Sequence, residues 1–166
     1  MMRLIAIASV AIVTWLVAAT QVPSHERLPM AAVVVGAAVT QPFGCTSLEL
    51  EPFDASCPTL HFHTGVDLAA RLGANVYSAT GGKAFVGYDP AGAGNYVEVV
   101  VDPHVRILYC HLSEWRVSSG REVTPGELIG LVGATGLATG PHVHLQVDID
   151  GTPVDPATFL SSSPEN

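Results

Sequence analysis

Apolar and β-branched residues recur along this chain in short runs, at positions 33–40, 75–78, 83–86, 96–101, 105–111, 128–132 and 142–149. Turn-forming residues separate them: Gly81-Gly82, the Gly-rich stretch 91–94, Asp102-Pro103, Pro125-Gly126 and Asp150-Gly151. Runs this short, so punctuated, predict β-strands rather than helices. Parallel strands need crossovers of about a dozen residues or more, so these connections predict antiparallel pairing. The one good helix start is Asp155-Pro156, a capping residue followed by proline, leading into a turn near Phe159. The pattern predicts an all-β domain, an antiparallel β-sandwich or distorted barrel.

Candidate chemistry sits on these strands. Alternate side chains of a strand share a face, so His142 and His144 project together, about 6.6 to 6.8 Å apart along the strand. Upstream, His63 and Asp67 form an H-x-x-x-D pair, and His111 lies in Tyr109-Cys110-His111-Leu112. Four histidines and one aspartate are the residue types of a catalytic zinc site, which takes three protein ligands and leaves the fourth position open. Two histidines then remain for chemistry. H-x-x-x-D alone is weak evidence, because that spacing arises by chance; it gains weight from the other two pieces. By itself the sequence does not say which histidine of the H-x-H pair binds metal.

The combination of H-x-x-x-D at 63–67, Y-x-H-L at 109–112 and T-G-x-x-T-G-P-H-x-H at 135–144 resembles the lysostaphin-like, or LytM-type, zinc metallopeptidases that cut bacterial cell wall peptides. The resemblance runs from Gln41 to Leu160. It implies zinc ligands His63, Asp67 and His144, a catalytic pair His111 and His142, and a β architecture of the duplicated hybrid motif type with its groove on one sheet. One histidine would assist deprotonation of the attacking water and the other would stabilise the oxyanion; the sequence does not assign these jobs. There are two departures from the family pattern. Gln146 stands where the family often has Glu, so it can orient a neighbour by hydrogen bonding but supplies no charge. Cys110 stands where Ala is usual, and strand alternation predicts that it faces away from His111.

Length and composition place this machinery in one small domain behind a leader. Positions 4–19 are an almost unbroken apolar run after Arg3, ending in small residues, which reads as an export signal over 1–20; a retained anchor is the weaker reading, since a span needs roughly 20 residues. Residues 21–32 then read as a linker, 33–162 as the catalytic domain and 163–166 as a tail. The expected location is secreted or cell-envelope. The formal net charge is −8, with Lys83 the one lysine, which excludes a nucleic-acid footprint. Peptidoglycan peptides are the expected partner, recognised by the groove; membrane contact is expected to be transient, through the N-terminal apolar segment, and the protein to be a monomer.

Three cysteines admit one disulfide. Cys45 with Cys57 is the favoured pair, closing a short acidic loop just before the first histidine motif and contributing about 3 kcal/mol. Cys110 with either partner is the alternative, and would tie that loop to a predicted central strand. His25, His61 and His104 read as structural, although His61 is close enough to His63 to line the groove. Tyr109 reads as packing and Asn95 as turn chemistry. The glycines of 133–140 lack the lysine and helix of a phosphate loop and read as room for backbone to approach substrate. A different class, a non-catalytic regulator that activates another wall hydrolase, is expected to be degenerate in these motifs, and this chain keeps each of them.

Overall fold

A computed structural model describes residues 26–162. The export segment expected over 1–20, His25 and the tail at 163–166 lie outside them. The described chain forms α1 (Met30–Val33), β1 (Ala38–Gln41), β2 (Gly44–Thr46), β3 (His61–His63), β4 (Val66–Ala69), β5 (Asn75–Tyr77) and β6 (Gly82–Asp89). There follow β7 (Gly94–Val100), β8 (Val105–Leu112), β9 (Glu114–Trp115), β10 (Glu122–Val123), β11 (Leu128–Leu131), β12 (His142–Ile149), β13 (Thr152–Val154) and α2 (Pro156–Ser161).

The strand pairs are antiparallel, as the short connections require. The main sheet runs β1-β4-β12-β8-β7-β6-β10, with β13 added beside β12; β5-β11-β9 and β2-β3 make two small sheets. The main sheet does not close on itself, so the sandwich expectation holds and the barrel alternative does not. Alternation sorts its two faces. Val66 and Leu68 of β4, Val143, Leu145 and Val147 of β12, Ile107 and Tyr109 of β8 and Val97 and Val99 of β7 are all buried in one core with Val76 and Ile129 of the small sheet. Asp67, His144, Gln146 and Cys110 stand at the intervening positions, on the opposite face.

Turn chemistry explains the connections. Asp102 Oδ1 accepts from the backbone N–H of His104 and Val105 between β7 and β8. Asp150 and Gly151 both have positive φ, 51° and 77°, the conformation of a tight two-residue hairpin, here between β12 and β13. Asp155 caps α2 by accepting from Ala157 N–H at 2.9 Å, with Pro156 behind it, as expected.

The strand expected over 33–40 is split. Residues Met30–Val33 are helical, and only Ala38–Gln41 pair as a strand. Val33 and Val34 are sunk in the core, and Gly36 turns the chain at φ 76°, so burial overrides the β propensity of three consecutive valines. Part of the segment expected to be linker is also structured. Arg27 donates to the Phe159 carbonyl at 2.8 Å and lies 3.9 Å over its ring, while Leu28 N–H donates to Ala79 O. Strands β2, β3, β4, β9, β10 and β13 have two to four residues each, too few to display a period in sequence.

Candidate metal centre and groove

Antiparallel register brings the separated motifs together. His144 of β12 is opposite Asp67 of β4 on one side and Cys110 of β8 on the other. His63 ends β3, and Thr64-Gly65 turns the chain into β4. His63 Nε2 lies 3.0 Å from His144 Nδ1 and 3.2 Å from Asp67 Oδ1, and His144 Nδ1 lies 3.1 Å from Asp67 Oδ1. A tetrahedral zinc with bonds near 2.0–2.1 Å sets its ligand atoms about 3.3–3.4 Å apart, so this triangle needs to open only slightly to form one face of the tetrahedron. Among the described residues this is the one group of three such side chains near enough to share an ion.

Electrostatics fit the same occupant. Burial works against charge on Asp67, but hydrogen bonds from His144 and His63 and the field of the neighbouring histidines hold its carboxyl well below the usual carboxylate range. Burial likewise works against charge on His63, yet Asp67 and the Pro42 carbonyl carry its pKa above the ordinary value. The pocket therefore keeps its carboxylate ionised and favours positive charge beside it. An N/N/O donor set with an open side fits zinc.

The remaining histidines flank the triangle. His142 Nε2 is 3.7 Å from Asp67 Oδ1, and the His111 and His142 rings are 4.7 Å apart. His142 Nδ1 donates to Gly140 O at 2.8 Å, and His111 Nδ1 donates to Thr135 O at 2.9 Å. A carbonyl can only accept, so both rings are pinned in the tautomer that leaves Nε2 with its lone pair. Burial pushes the His111 pKa down to about 4, with the charges of His142 and His144 acting in the same direction.

His111 enters the groove by a device that strand alternation does not predict. Asn95 of β7 is opposite Leu112, but Val97 is opposite Tyr109, so Cys110 and His111 together face the single residue Tyr96. This is a β-bulge, with His111 at φ 62°. The extra residue breaks alternation, and both Cys110 and His111 line the groove. The expectation that Cys110 faces away from His111 is thereby corrected. Cys110 is buried at the groove floor, and burial, then the Asp67, Asp148 and Asp89 carboxylates, push its thiol up to about 12.

Neighbouring residues hold the bulge. Thr135 Oγ1 donates to Leu112 O and accepts from Asn95 N–H, while Asn95 Nδ2 donates to Leu112 O. Asn95 thus braces a candidate catalytic residue rather than serving as simple turn chemistry. Gly133 and Gly136 also differ from expectation. A Cβ at Gly133 would strike the backbone of 111–113, and one at Gly136 the backbone of 92–94, so these glycines let loop backbone pack on the bulge and its neighbour, not on substrate.

Several residues at the groove carried no sequence signal. Glu51 Oε1 stands 4.0 Å from His63 Nε2, brought there by the loop closed between Cys45 and Cys57. Leu48 and Leu50 of the same loop line the cavity of about 300 Å³, with Leu137 also in its lining. Gly65 is required by contact: a Cβ there would lie 2.7 Å from His144 Nε2 and collide with Leu145 O. His61 spends its Nδ1–H on Glu51 O and supports the loop from behind. Tyr109 is fully buried and accepts Ala79 N–H at 2.7 Å, so it is packing, as expected.

The chain is similar to several known peptidases. The carboxypeptidase/endopeptidase Mpg of Neisseria meningitidis, named for DD bonds, is 40% identical over 111 residues, covering 65% of this chain and 26% of that protein. The chain thus spans about a quarter of the length of that relative. A zinc-containing peptidase from Vibrio cholerae superposes with TM-score 0.64 at 31% identity, covering 79% of this chain and 40% of the other. The catalytic domain of lysostaphin from Staphylococcus simulans gives 0.67 at 29% identity, covering 82% of this chain and all of that domain. The family model described as Peptidase family M23 matches residues 61–156, from the start of β3 to the start of α2 and so across all five convergent side chains; the chain belongs to peptidase family M23.

Proposed function

We propose that this protein is an exported zinc endopeptidase that hydrolyses peptide bonds in peptidoglycan stem peptides or cross-bridges, with His63, Asp67 and His144 holding the metal and His111 and His142 acting on substrate. The observation that carries the reading is the His63-Asp67-His144 triangle with two tautomerically pinned imidazoles at its open side. Zinc, when bound, lowers the pKa of a bound water from 15.7 to about 7 and polarises the scissile carbonyl.

The protein's own residues then divide the work. With Nδ1–H committed to Thr135 O, neutral His111 offers a bare Nε2 and can accept a proton but not donate one. Its lowered pKa leaves it unprotonated at neutral pH, and the placement of its bare Nε2, rather than its basicity, is what fits it to accept the attacking water's proton. His142, its Nδ1–H held by Gly140 O, would take a proton at Nε2 from solvent, hydrogen-bond the developing oxyanion and pass that proton to the leaving amine, while His111 returns to solvent the proton it took from the attacking water. Leu48, Leu50 and Leu137 give the groove an apolar lining.

Export is supported by the apolar run at 4–19 and by the Cys45–Cys57 disulfide, which persists in oxidising compartments. The wall substrate is supported by the relatives, two of them named as peptidoglycan endopeptidases. All five site residues come from one chain, so a monomer suffices, and any membrane contact falls to the N-terminal apolar segment.

The test is mass spectrometry of fragments released from purified peptidoglycan by the protein with zinc, with chelator, and as His111→Ala and His142→Ala. New peptide termini that need zinc and both histidines are expected, with zinc retained in both variants. Loss of zinc in either variant would mean that a ligand has been mistaken for a catalytic residue. No release from any wall preparation by the zinc-loaded protein would sink the substrate assignment.

A further inference from the structure

Of the four imidazoles at the centre, three lean on the backbone. His63, His111 and His142 each give Nδ1–H to a carbonyl, of Pro42, Thr135 and Gly140 respectively, and no further help is needed to leave Nε2 bare. His144 is the exception. It turns Nδ1 toward the triangle, and its Nε2 meets a side-chain amide, Gln146 Oε1, at 3.4 Å. A carboxamide has an accepting end and a donating end. Turned round, Gln146 would offer NH₂ to Nε2, which moves the His144 proton to Nδ1 and closes the atom that must face the ion.

Asp148 removes that freedom, and Thr64 accommodates the result. Gln146 Nε2 donates to Asp148 Oδ1 at 2.8 Å, and Thr64 Oγ1 donates to Gln146 Oε1 at 2.7 Å. The carboxylate can only accept, so the NH₂ end must lie on its side and the carbonyl end on the side of His144. His144, Gln146 and Asp148 are alternate residues of β12 and share a face. Asp148 is only 8% exposed, and its register partner Arg106 gives its guanidinium to Glu98 instead, at 3.2 Å. Among the described residues, the side-chain hydrogen bond to Asp148 comes from Gln146. Burying a carboxylate without a cation costs free energy, so it is expected to persist only where it does something.

We propose that Asp148 is a positioning residue for the metal centre: it locks the Gln146 amide so that Oε1 accepts from His144 Nε2–H, which presents the His144 Nδ1 lone pair to the ion. The charge that Gln146 lacks is supplied two residues further along the same strand face. The relay rests on the metal-centre reading of His144.

Zinc affinity tests it without reference to catalysis. The full chain and the variants Asp148→Asn, Gln146→Glu and the double Asp148→Asn/Gln146→Glu are titrated with zinc against a chromophoric chelator, and the cobalt-substituted forms are followed by visible absorption. Outer-shell partners of this kind are worth about 10- to 100-fold in metal affinity. Asp148→Asn frees the amide, and Gln146→Glu sets two carboxylates against each other; each is expected to weaken zinc binding about tenfold and to alter the cobalt spectrum. The double variant restores one carboxylate and one amide with their positions exchanged, and is expected to recover to within about threefold of the native chain. Native affinity in both single variants, or a double variant no better than its singles, overturns the relay. Metal-free thermal melts accompany each variant; should Asp148→Asn fail to fold, the comparison of Gln146→Glu with the double variant decides. A native chain that binds no zinc overturns the metal-centre reading and the relay with it, whereas tight native binding with unchanged variants overturns the relay alone.

Discussion

Opening the Cys45–Cys57 loop is the perturbation that joins stability to the groove most directly. The two residues are 12 apart in sequence. Loop-closure entropy for a ring of that size amounts to about 2.8 kcal/mol at 25 °C. For a domain of this length 1 kcal/mol moves Tm by roughly 3–5 °C, so the expected fall is about 8–14 °C. Cys45 is exposed and Cys57 only 2% exposed, so Cys45→Ser with Cys57→Ala removes the bridge without burying a hydroxyl. Removing both also denies the buried thiol of Cys110 a partner for misoxidation.

What remains in the folded state should hold the base of the loop but not its tip. Cys45 still pairs with Phe62, Phe62 N–H still donates to Pro52 O, and Phe43 still meets Phe62 edge-on at 5.0 Å. Leu48 and Leu50, exposed on the loop, should become cleavable by a chymotrypsin-type protease, while KM for peptide substrate rises more than kcat falls. Calorimetry of the metal-free protein gives the Tm, so that zinc binding does not mask the change. A fall below about 3 °C would refute the entropic account and mean that the open chain already holds this loop compact.

Tyr109→Phe removes the acceptor of a buried Ala79 N–H and should cost about 1–3 kcal/mol in urea unfolding, with activity per folded molecule unchanged because the ring faces the core; a neutral variant would show that water replaces the hydroxyl. Gly65→Ala sets a methyl against His144 Nε2 and Leu145 O; it should cost about 1–3 kcal/mol and weaken zinc binding, whereas full zinc affinity would show that the β3–β4 turn yields instead. His104 donates to Asp150 at 2.6 Å, and that bond with the carboxylate's charge raises its pKa. By NMR it should titrate above the ordinary value of about 6.5, and Asp150→Asn should bring it back. Because the folded pKa is the raised one, the pair's contribution to stability is present below the ordinary histidine pKa and is lost as pH rises through the folded pKa.

Residues next to one another in sequence determined much of this protein. The period-two run at 142–149 shows in sequence which side of β12 carries His142, His144 and Gln146, because alternation is a property of a single strand. Asp155-Pro156 identifies its helix start because capping is satisfied within one turn. The disulfide pair was legible because the loop between its cysteines is short, and the five candidate residues were legible through their spacing inside three motifs.

The tertiary structure decided whatever depends on which strands meet and in what register. The bulge that carries His111 and Cys110 into the groove together exists only because β7 supplies one residue opposite two of β8. Glu51 comes near His63 only because a loop is tied back by a disulfide and by His61. The valines at 33–35 read as strand, yet the pull of the core on Val33 and Val34 overrides that local preference. Asp148 looks like an ordinary strand carboxylate until Arg106, across the sheet, is seen to pair with Glu98 and leave it to Gln146. A local pattern specifies which way a side chain points from its own backbone; only the register between distant segments specifies what it meets there.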